Sequence, residues 1–578
     1  MDNNIIIYIN QLYKAHGWNE MINIIKSQIY NVRVPFVFKN SEFKNRIITI
    51  KYLEHNKIWK PKWTRQCRGI VMYLDDDDNI IPIKYLLQRG AEVLTNIHIK
   101  SDINDTQDIQ LSDSKISNQI LHLDDNQQKI VSKLLNGELI DGFLSFKCDG
   151  SLLGVTCYYG KYINIAKDWI LKYGDDFSKL CLEMSLLNNC VVILSSQGTF
   201  FIGEDMQSYT VTSILASLGY KDIDITEIAN KMTYLEALKE YGNKWFNNIT
   251  EIFDKIKCTC CDTNIITLCF ETICKNRTTA WKELHTELAI SYNKSNMKFL
   301  GASFCGNNFI KFIPHFILNI NNIFLEPLWW KISSTTEINL MLSDIELCIK
   351  GYITSQEYIK KYIPYNIDSY KDNDINIDYE GFVFYTPYLD GTNIEYDYHK
   401  IKSTTYYKAH NFKTKNIDYL LDISTSDVAL SVFPVVYKIK SFFESLASKL
   451  IICVDKFSEE LLKDVKNNKL YEGLNEKAKI SFNKQNINVK YKMLINASNN
   501  FNDIIMQIFI EQFPELNKST LEKQYICTNL KKIIMLYNSL LVENYKNVIA
   551  LSIKNINDNN ELKELFNHCQ NIMCDVIE

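Results

Sequence analysis

Lys147-Cys148-Asp149-Gly150-Ser151 follows directly on a strand-like run, Phe143 to Phe146. That placement puts a lysine where a reversal of the chain can present it. A lysine amine is a covalent nucleophile once it has lost its proton. A free lysine, with a pKa of about 10.4, holds that proton at neutral pH, so burial or neighbouring cations must depress it. Lys400 and Lys402, in Lys400-Ile401-Lys402-Ser403, are suitable cations. Two carboxylates sit on β-like runs: Glu271 in Cys269-Phe270-Glu271, and Glu380 in Tyr379-Glu380-Gly381-Phe382. Upstream stand Arg68, in Cys67-Arg68-Gly69-Ile70-Val71, and Lys84, in Pro82-Ile83-Lys84-Tyr85. Each motif alone has a plainer reading. Lys147 to Ser151 is also an Asp-Gly turn between two strands, Glu271 and Glu380 are also strand-end acids, and Arg68 is also a surface ion-pair partner. The weight lies in finding all of them in one order.

The elements that must position these residues are mostly β. Gly69 to Tyr73 and Ile80 to Tyr85 flank Asp75-Asp76-Asp77-Asp78-Asn79, which reads as a hairpin with a solvated acidic turn. Val32 to Phe38 and Lys44 to Tyr52 are strand-like, and so are Leu152 to Tyr159, Val191 to Leu194, Ile265 to Thr272 and Glu380 to Tyr385. Residues 205–256 carry helical spacing through Ile228, Met232, Leu235 and Leu238. From about 425 onward the strand signal fades and amphipathic stretches dominate, so a boundary is expected near 420–430, before an all-α C-terminal domain. That domain could recognise an RNA fold such as a tRNA stem-loop, or be a stabilising bundle. The expected class is α+β, with antiparallel sheets flanked by helices over residues 1–425 and a helical domain over 426–578.

Composition bounds the partners. The chain has 578 residues, 46% of them apolar and 23% charged, with a net charge of −4. That excludes a largely disordered chain and a uniformly basic wrapper of nucleic acid, and leaves a local basic groove open. No run of 18 apolar residues occurs, and Phe309 to Trp330 reads as buried core. Sixteen Cys without a signal-like N-terminus point to reduced thiols in an intracellular protein. Cys258, Cys260 and Cys261 are spaced too tightly for ordinary zinc pairs, Cys269 and Cys274 fit a C-x4-C pair, and the five read as structural or incidental. No phosphate-binding G-x4-G-K-[ST] loop and no G-x-S-x-G elbow occurs.

The ordered motif set resembles the covalent nucleotidyltransferases, the superfamily of polynucleotide ligases and mRNA capping enzymes. It is most similar to ATP-dependent RNA ligases of the phage and fungal tRNA-repair type. Arg-Gly-Ile-Val followed by Pro-x-Lys, Glu-Gly at Glu380-Gly381, and Lys-x-Lys-Ser followed by Tyr406 and His410 carry that preference. So does Ser196-Gln197-Gly198-Thr199, in the place of a Ser-Lys-Gly-Ser element. The resemblance covers roughly residues 35–412. It implies an ATP-grasp-like ligase fold in which Lys147 attacks the α-phosphorus of ATP. AMP then passes to an RNA 5′-phosphate, which a 3′-hydroxyl attacks. Phe146, Asp149 and Gly150 would help hold the nucleotide, Glu271 the ribose hydroxyls, and Glu380 the Mg²⁺, for which Mn²⁺ can substitute. Arg68 and Lys84 would contact pyrophosphate or RNA phosphate, and Lys400 and Lys402 would neutralise charge growing on the α-phosphate.

Three departures stand out. Gln197 replaces a lysine, Leu86 replaces an aromatic residue, and the intervals from Lys147 to Glu271 and on to Glu380 are long. Helical insertions near 205–256 and 305–370 would account for those intervals. The alternatives are a capping guanylyltransferase, a DNA ligase, or a degenerate fold that only binds RNA ends. RNA is the expected partner in each RNA-directed reading, and no membrane is.

Overall fold

A computed structural model describes residues 5–27, 30–52, 66–87, 91–93, 139–186, 190–257, 265–275, 281, 290–306, 309–318, 320, 323–362, 377–390, 393–412, 426–434, 436, 437 and 441. In chain order the elements are α1 (Ile5–Ser27), β1 (Tyr30–Arg33), β2 (Ile47–Tyr52), β3 (Arg68–Leu74), β4 (Ile80–Lys84), β5 (Ala91–Val93), β6 (Leu139–Phe146) and β7 (Ser151–Tyr158). Next come α2 (Tyr162–Tyr173), α3 (Asp176–Leu186), β8 (Val191–Ser196), α4 (Glu204–Ser217), α5 (Asp222–Ala229), α6 (Tyr234–Tyr241), α7 (Asn243–Lys257) and β9 (Ile265–Ile273). Then follow β10 (Asn296–Cys305), β11 (Ile310–Pro314), α8 (His315–Leu318), β12 (Trp329–Ser334), α9 (Thr335–Ile349), α10 (Ser355–Tyr362), β13 (Gly381–Asp390), β14 (Asn393–Lys402), α11 (Thr404–Phe412) and α12 (Asp427–Val432).

The strands form three sheets, ordered β1-β2-β3-β4, β11-β10-β9-β7-β8 and β12-β6-β13-β14-β5. Every pairing is antiparallel except β14 with β5, which is parallel. The class is therefore mixed α+β built on antiparallel sheets. The acidic segment is the turn of the β3–β4 hairpin. Asp75 Oδ1 accepts from the N–H groups of Asp77 (3.1 Å) and Asn79 (2.9 Å). Asp78 takes a φ of 65°, a left-handed conformation that aspartate tolerates better than most residues.

Residues 205–256 are helical as expected. They make α4 to α7, whose apolar sides (Ile214, Trp245, Phe246, Phe253) bury one face of β7, β9 and β10. Thr233 opens α6 with a reciprocal cap: its Oγ1 accepts from Glu236 N–H, and Glu236 Oε2 accepts from Thr233 N–H at 2.8 Å. The interval near 305–370 corrects the expectation of a helical insertion. It contains β11 and β12 as well as α8, α9 and α10, and β12 completes an edge of the sheet through its pairing with β6. An α1 helix stands where the sequence showed only a mixed pattern, packed on β1 and β4 with Ile5, Ile9, Met21 and Ile25 buried.

The sheets containing β6 and β7 meet across an apolar layer. Phe143, Val383, Tyr385, Tyr396 and Tyr398 come from one, and Leu152, Cys269, Leu300 and Phe312 from the other. Leu86, in the position expected to be aromatic, fills this layer and is 3% exposed. His315 is fully buried beside it, its ring nitrogens 3.5 Å from Ser145 Oγ and 3.3 Å from the Leu300 carbonyl. Burial lowers its pKa from 6.5 to about 4. As pH falls from 6.5 to 4 the unfolded chain takes up this proton and the fold does not, so stability is lost across that window. The loss is on the order of 3 kcal/mol. The expected result is that His315→Gln has a flatter stability–pH curve than the parent between pH 6.5 and 4, measured by denaturant unfolding. Parallel curves would refute a buried neutral imidazole.

By compactness the chain divides into one unit of Met1–Cys348 with Ile353–Thr404 and another of Ile349–Tyr352 with Thr405–Glu578. The first unit thus ends at Thr404, earlier than the expected 420–430. In the second, Ser426 caps α12 by accepting from Ala429 N–H at 3.2 Å, and its hydroxyl donates to the Ile349 carbonyl. The helical pattern expected beyond residue 441 lies outside the described residues, as do residues 101–135. Among the described residues no helix is long and apolar enough to cross a membrane.

Candidate functional site

Lys147 to Gly150 is the segment by which the chain leaves one sheet and enters the other. β6 pairs with β12 and β13, whereas β7 pairs with β8 and β9. The amine therefore sits where the apolar layer between two sheets ends. Lys147 N–H donates to the Gly381 carbonyl at 2.8 Å, extending the β6–β13 ladder by one rung. Asp149 N–H donates to Tyr292 Oη at 2.8 Å, and Asp149 Oδ2 accepts from Ile290 N–H at 3.2 Å. Gly150 N–H donates to Glu271 Oε1 at 3.0 Å. A Cβ on Gly150 would lie 2.5 Å from the Thr272 carbonyl oxygen, so only glycine allows this approach.

Acids surround the amine. Lys147 Nζ lies 2.6 Å from Glu380 Oε1, which is also 3.8 Å from Lys402 Nζ. Glu380 is 1% exposed, and Lys147 and Lys402 are about one-fifth exposed. Burial pulls the Lys147 pKa down, but Glu380, Glu271 and Asp149 outweigh it, and the net shift is upward. This corrects the expectation of a depressed lysine: at rest Lys147 is an ammonium held by a charge-assisted bond. Burial pushes Glu271 up to about 7 against the pull of Lys147, with Glu380 and Asp149 adding to the rise and Arg68 opposing it. Burial likewise raises Glu380 against Lys147.

Register places the cations. Lys402 faces Gly381 and Lys400 faces Val383, and Val383 faces Ser145 in turn. Side chains directly opposite in antiparallel strands share a face. Lys147, Lys400 and Lys402 therefore lie on the cleft side of one sheet. Arg68 opens β3 with its Nε buried and donating to no acceptor. Lys84 is not brought to the amine. It is 1% exposed, and its Nζ donates to the carbonyls of Ser196 (2.5 Å) and Thr199. Arg33 Nη2 donates to the Gly198 carbonyl at 2.9 Å. Two cations thus hold the Ser196–Thr199 turn from its carbonyl side, so the expectation that Lys84 meets a phosphate is corrected. Burial lowers the Lys84 pKa to about 7.

Phe146 is not in the cleft either. It alternates to the other face of β6, stacked on Phe382 at 5.4 Å and edge-on to Trp330 at 5.4 Å, and is 2% exposed. It is a core residue, which corrects its assignment to the nucleotide.

Three neighbours escaped the sequence reading. Lys298 on β10 forms a 2.6 Å ion pair with Asp378, Cys148 Sγ donates to the same Asp378 Oδ2 at 3.5 Å, and Tyr292 receives the Asp149 amide. A signal was present, because Lys298 is a lone cation in the apolar run Met297-Lys298-Phe299-Leu300, and a charge that folds inward needs a partner. Cys269 Sγ donates to the Leu86 carbonyl and Cys274 Sγ to the Tyr209 carbonyl, and burial raises both thiols to about 12. Cys258, Cys260 and Cys261 lie outside the described residues.

Among the described residues no three His, Cys, Asp or Glu side chains are grouped to hold a metal by themselves. Glu380 nevertheless has one oxygen, Oε2, that is buried and accepts no hydrogen bond. A hard oxygen-seeking cation that keeps waters and substrate phosphates as its other ligands would suit it. Comparisons with protein-family models and with curated proteins give no match for this chain.

Proposed function

We propose that the protein is an ATP-dependent RNA ligase that acts through a covalent lysyl-AMP at Lys147 and seals broken RNA, tRNA included. The observation that carries the reading is the Lys147 amine on the sheet-to-sheet crossover, 2.6 Å from the buried Glu380 and on the same face as Lys400 and Lys402. The domain would then be of the ATP-grasp-like ligase kind. Its two largely antiparallel sheets with the lysine between them are compatible with that.

In this reading Lys147 gives up a proton and its nitrogen bonds to the α-phosphorus of ATP. The α–β phosphoanhydride bond breaks and pyrophosphate leaves. AMP next passes to an RNA 5′-phosphate, and attack by a 3′-hydroxyl closes the phosphodiester and frees AMP. These are in-line displacements, in which positioning and charge neutralisation do most of the catalysis. Lys402 and Lys400 supply positive charge along the cleft face, and Arg68, with its unpartnered Nε, can turn to phosphate oxygens. Glu380 would hold Mg²⁺ through Oε2, and the ion when bound would neutralise phosphate charge. The preference for RNA rests on the motif forms, Glu380-Gly381 and Lys400-Ile401-Lys402-Ser403, and with a net charge of −4 the RNA contact must be a local patch.

The test is incubation with α-labelled ATP or GTP and Mg²⁺, after pyrophosphate has stripped any resident AMP, followed by a denaturing gel. A covalent label from ATP, passed on to a nicked RNA, is expected. Label from GTP alone would mean capping chemistry, transfer only to DNA a DNA ligase, and no label a binding module.

A further inference from the structure

We infer that Lys298 and Asp378 form a positioning clamp that ties the two sheets together and aims the Lys147 turn. The inference rests on the reading of Lys147 as the nucleophile.

The clamp joins segments far apart in the chain. Lys298 belongs to β10, directly opposite Glu271 on β9. Asp378 lies two residues before Glu380, in the approach to β13. Their ion pair, at 2.6 Å, therefore links the strand paired with the Glu271 strand to the segment that carries Glu380. It is 15% exposed on the lysine side and 3% on the aspartate side.

The same pair reaches the turn itself. Asp378 Oδ2, the atom that Lys298 binds, also accepts from Cys148 Sγ at 3.5 Å. Cys148, Asp149 and Gly150 are thus gripped one after another. Asp378 takes the first, Tyr292 and the Ile290 amide take the second, and Glu271 takes the third. All of these grips come from residues 271–298 and from Asp378, the two segments that the ion pair joins. Lys147, next to this anchored run, has only its own side chain left to move.

A buried ion pair is a poor stabiliser. Desolvation of its charges offsets most of their attraction, and a neutral pair of similar volume does nearly as well. Removing one partner alone leaves a stranded buried charge. A pair kept for stability and a pair kept for aim therefore part company in the doubly neutral variant.

The experiment compares Lys298→Met, Asp378→Asn, the double variant and Lys298→Arg. Each single neutral variant should melt well below the parent, and the double variant should regain most of the loss. Single-turnover lysyl-AMP formation in the double variant should nonetheless stay down about a hundredfold, the effect of misplacing a reacting group by an ångström. Its KM for ATP should change less than about threefold, since nucleotide contacts are not removed. Lys298→Arg, which keeps the pair, should restore most of the rate. A second arm needs no ATP: acetylation of the Lys147 amine by an N-hydroxysuccinimide ester, followed by peptide mass spectrometry. A loosened turn should speed that reaction in the double variant and leave other lysines unchanged. A double variant that adenylylates or acetylates at the parental rate overturns the inference. If the parent takes no label from any nucleotide, the proposed function fails, and the acetylation arm still decides the clamp.

Discussion

Lys147→Arg is expected to yield a folded protein that takes no covalent label from ATP. A guanidinium keeps the positive charge beside Glu380, so the buried carboxylate is not stranded. It never loses its proton near neutral pH and cannot attack phosphorus. The expected drop in label is at least about a thousandfold, since a missing nucleophile leaves only binding and charge stabilisation. Lys147→Met should fail in a second way. It would leave Glu380, 1% exposed, with only Lys402 at 3.8 Å, and the uncompensated charge should cost about 3 kcal/mol or more. Gel label and denaturant midpoint, measured on both variants, separate the two effects. Label that survives in Lys147→Arg would move the nucleophile elsewhere and overturn the reading of Lys147.

Gly381→Ala is expected to damage fold and site together. Gly381 has a φ of 124°, a region that side chains rarely adopt. Its Cβ would meet the Ile401 carbonyl oxygen at 2.3 Å and the Lys402 Cα at 2.9 Å, both backbone atoms with no rotamer to change. Backbone strain and overpacking each cost roughly 1–3 kcal/mol, so the loss should be about 3 kcal/mol or more. Gly381 follows Glu380, accepts from Lys147 N–H and faces Lys402. The shift must therefore also spoil the spacing of those three charges. An unchanged urea midpoint would show that the backbone gives way there without cost, contrary to the packing described.

Much of the framework was legible because its signals are local. The β3–β4 hairpin announced itself through two apolar, β-rich runs around Asp75 to Asn79, and α4 to α7 through helical spacing. Lys147, Glu271, Glu380 and Lys402 were found as ordered motifs, and folding brings them within electrostatic reach of one another. What was missed depends on register and on which face a side chain takes. Phe146 adjoins Lys147 in sequence but points the opposite way, because successive residues of a strand alternate faces. Lys84 was read as a phosphate contact, since nothing nearby in sequence shows that the Ser196–Thr199 turn folds over it. The depressed pKa expected of Lys147 failed for the same reason. Burial was foreseen, but three acids converging on one amine is a tertiary fact. Helix-like stretches and strands near 305–370 could not be separated by composition, and β12 became a strand because β6 offered it an edge.

The anchoring of Cys148 on Asp378, 230 residues later in the chain, has a consequence for biosynthesis. A ribosome adds about 5–20 residues per second, so the nascent chain waits on the order of 10–50 s between making the two. During that wait β6 lacks β13, and β12 as well until that strand has emerged. An apolar strand with open edges is a template for unwanted pairing with other chains. Lys147 is thus laid down early, directly after a strand open to misassembly, and gains Glu380, its 2.6 Å ion-pair partner, only when nearly all of the first unit has left the ribosome. Yield in the cell should therefore be limited less by the stability of the finished protein than by what shields β6 in that interval.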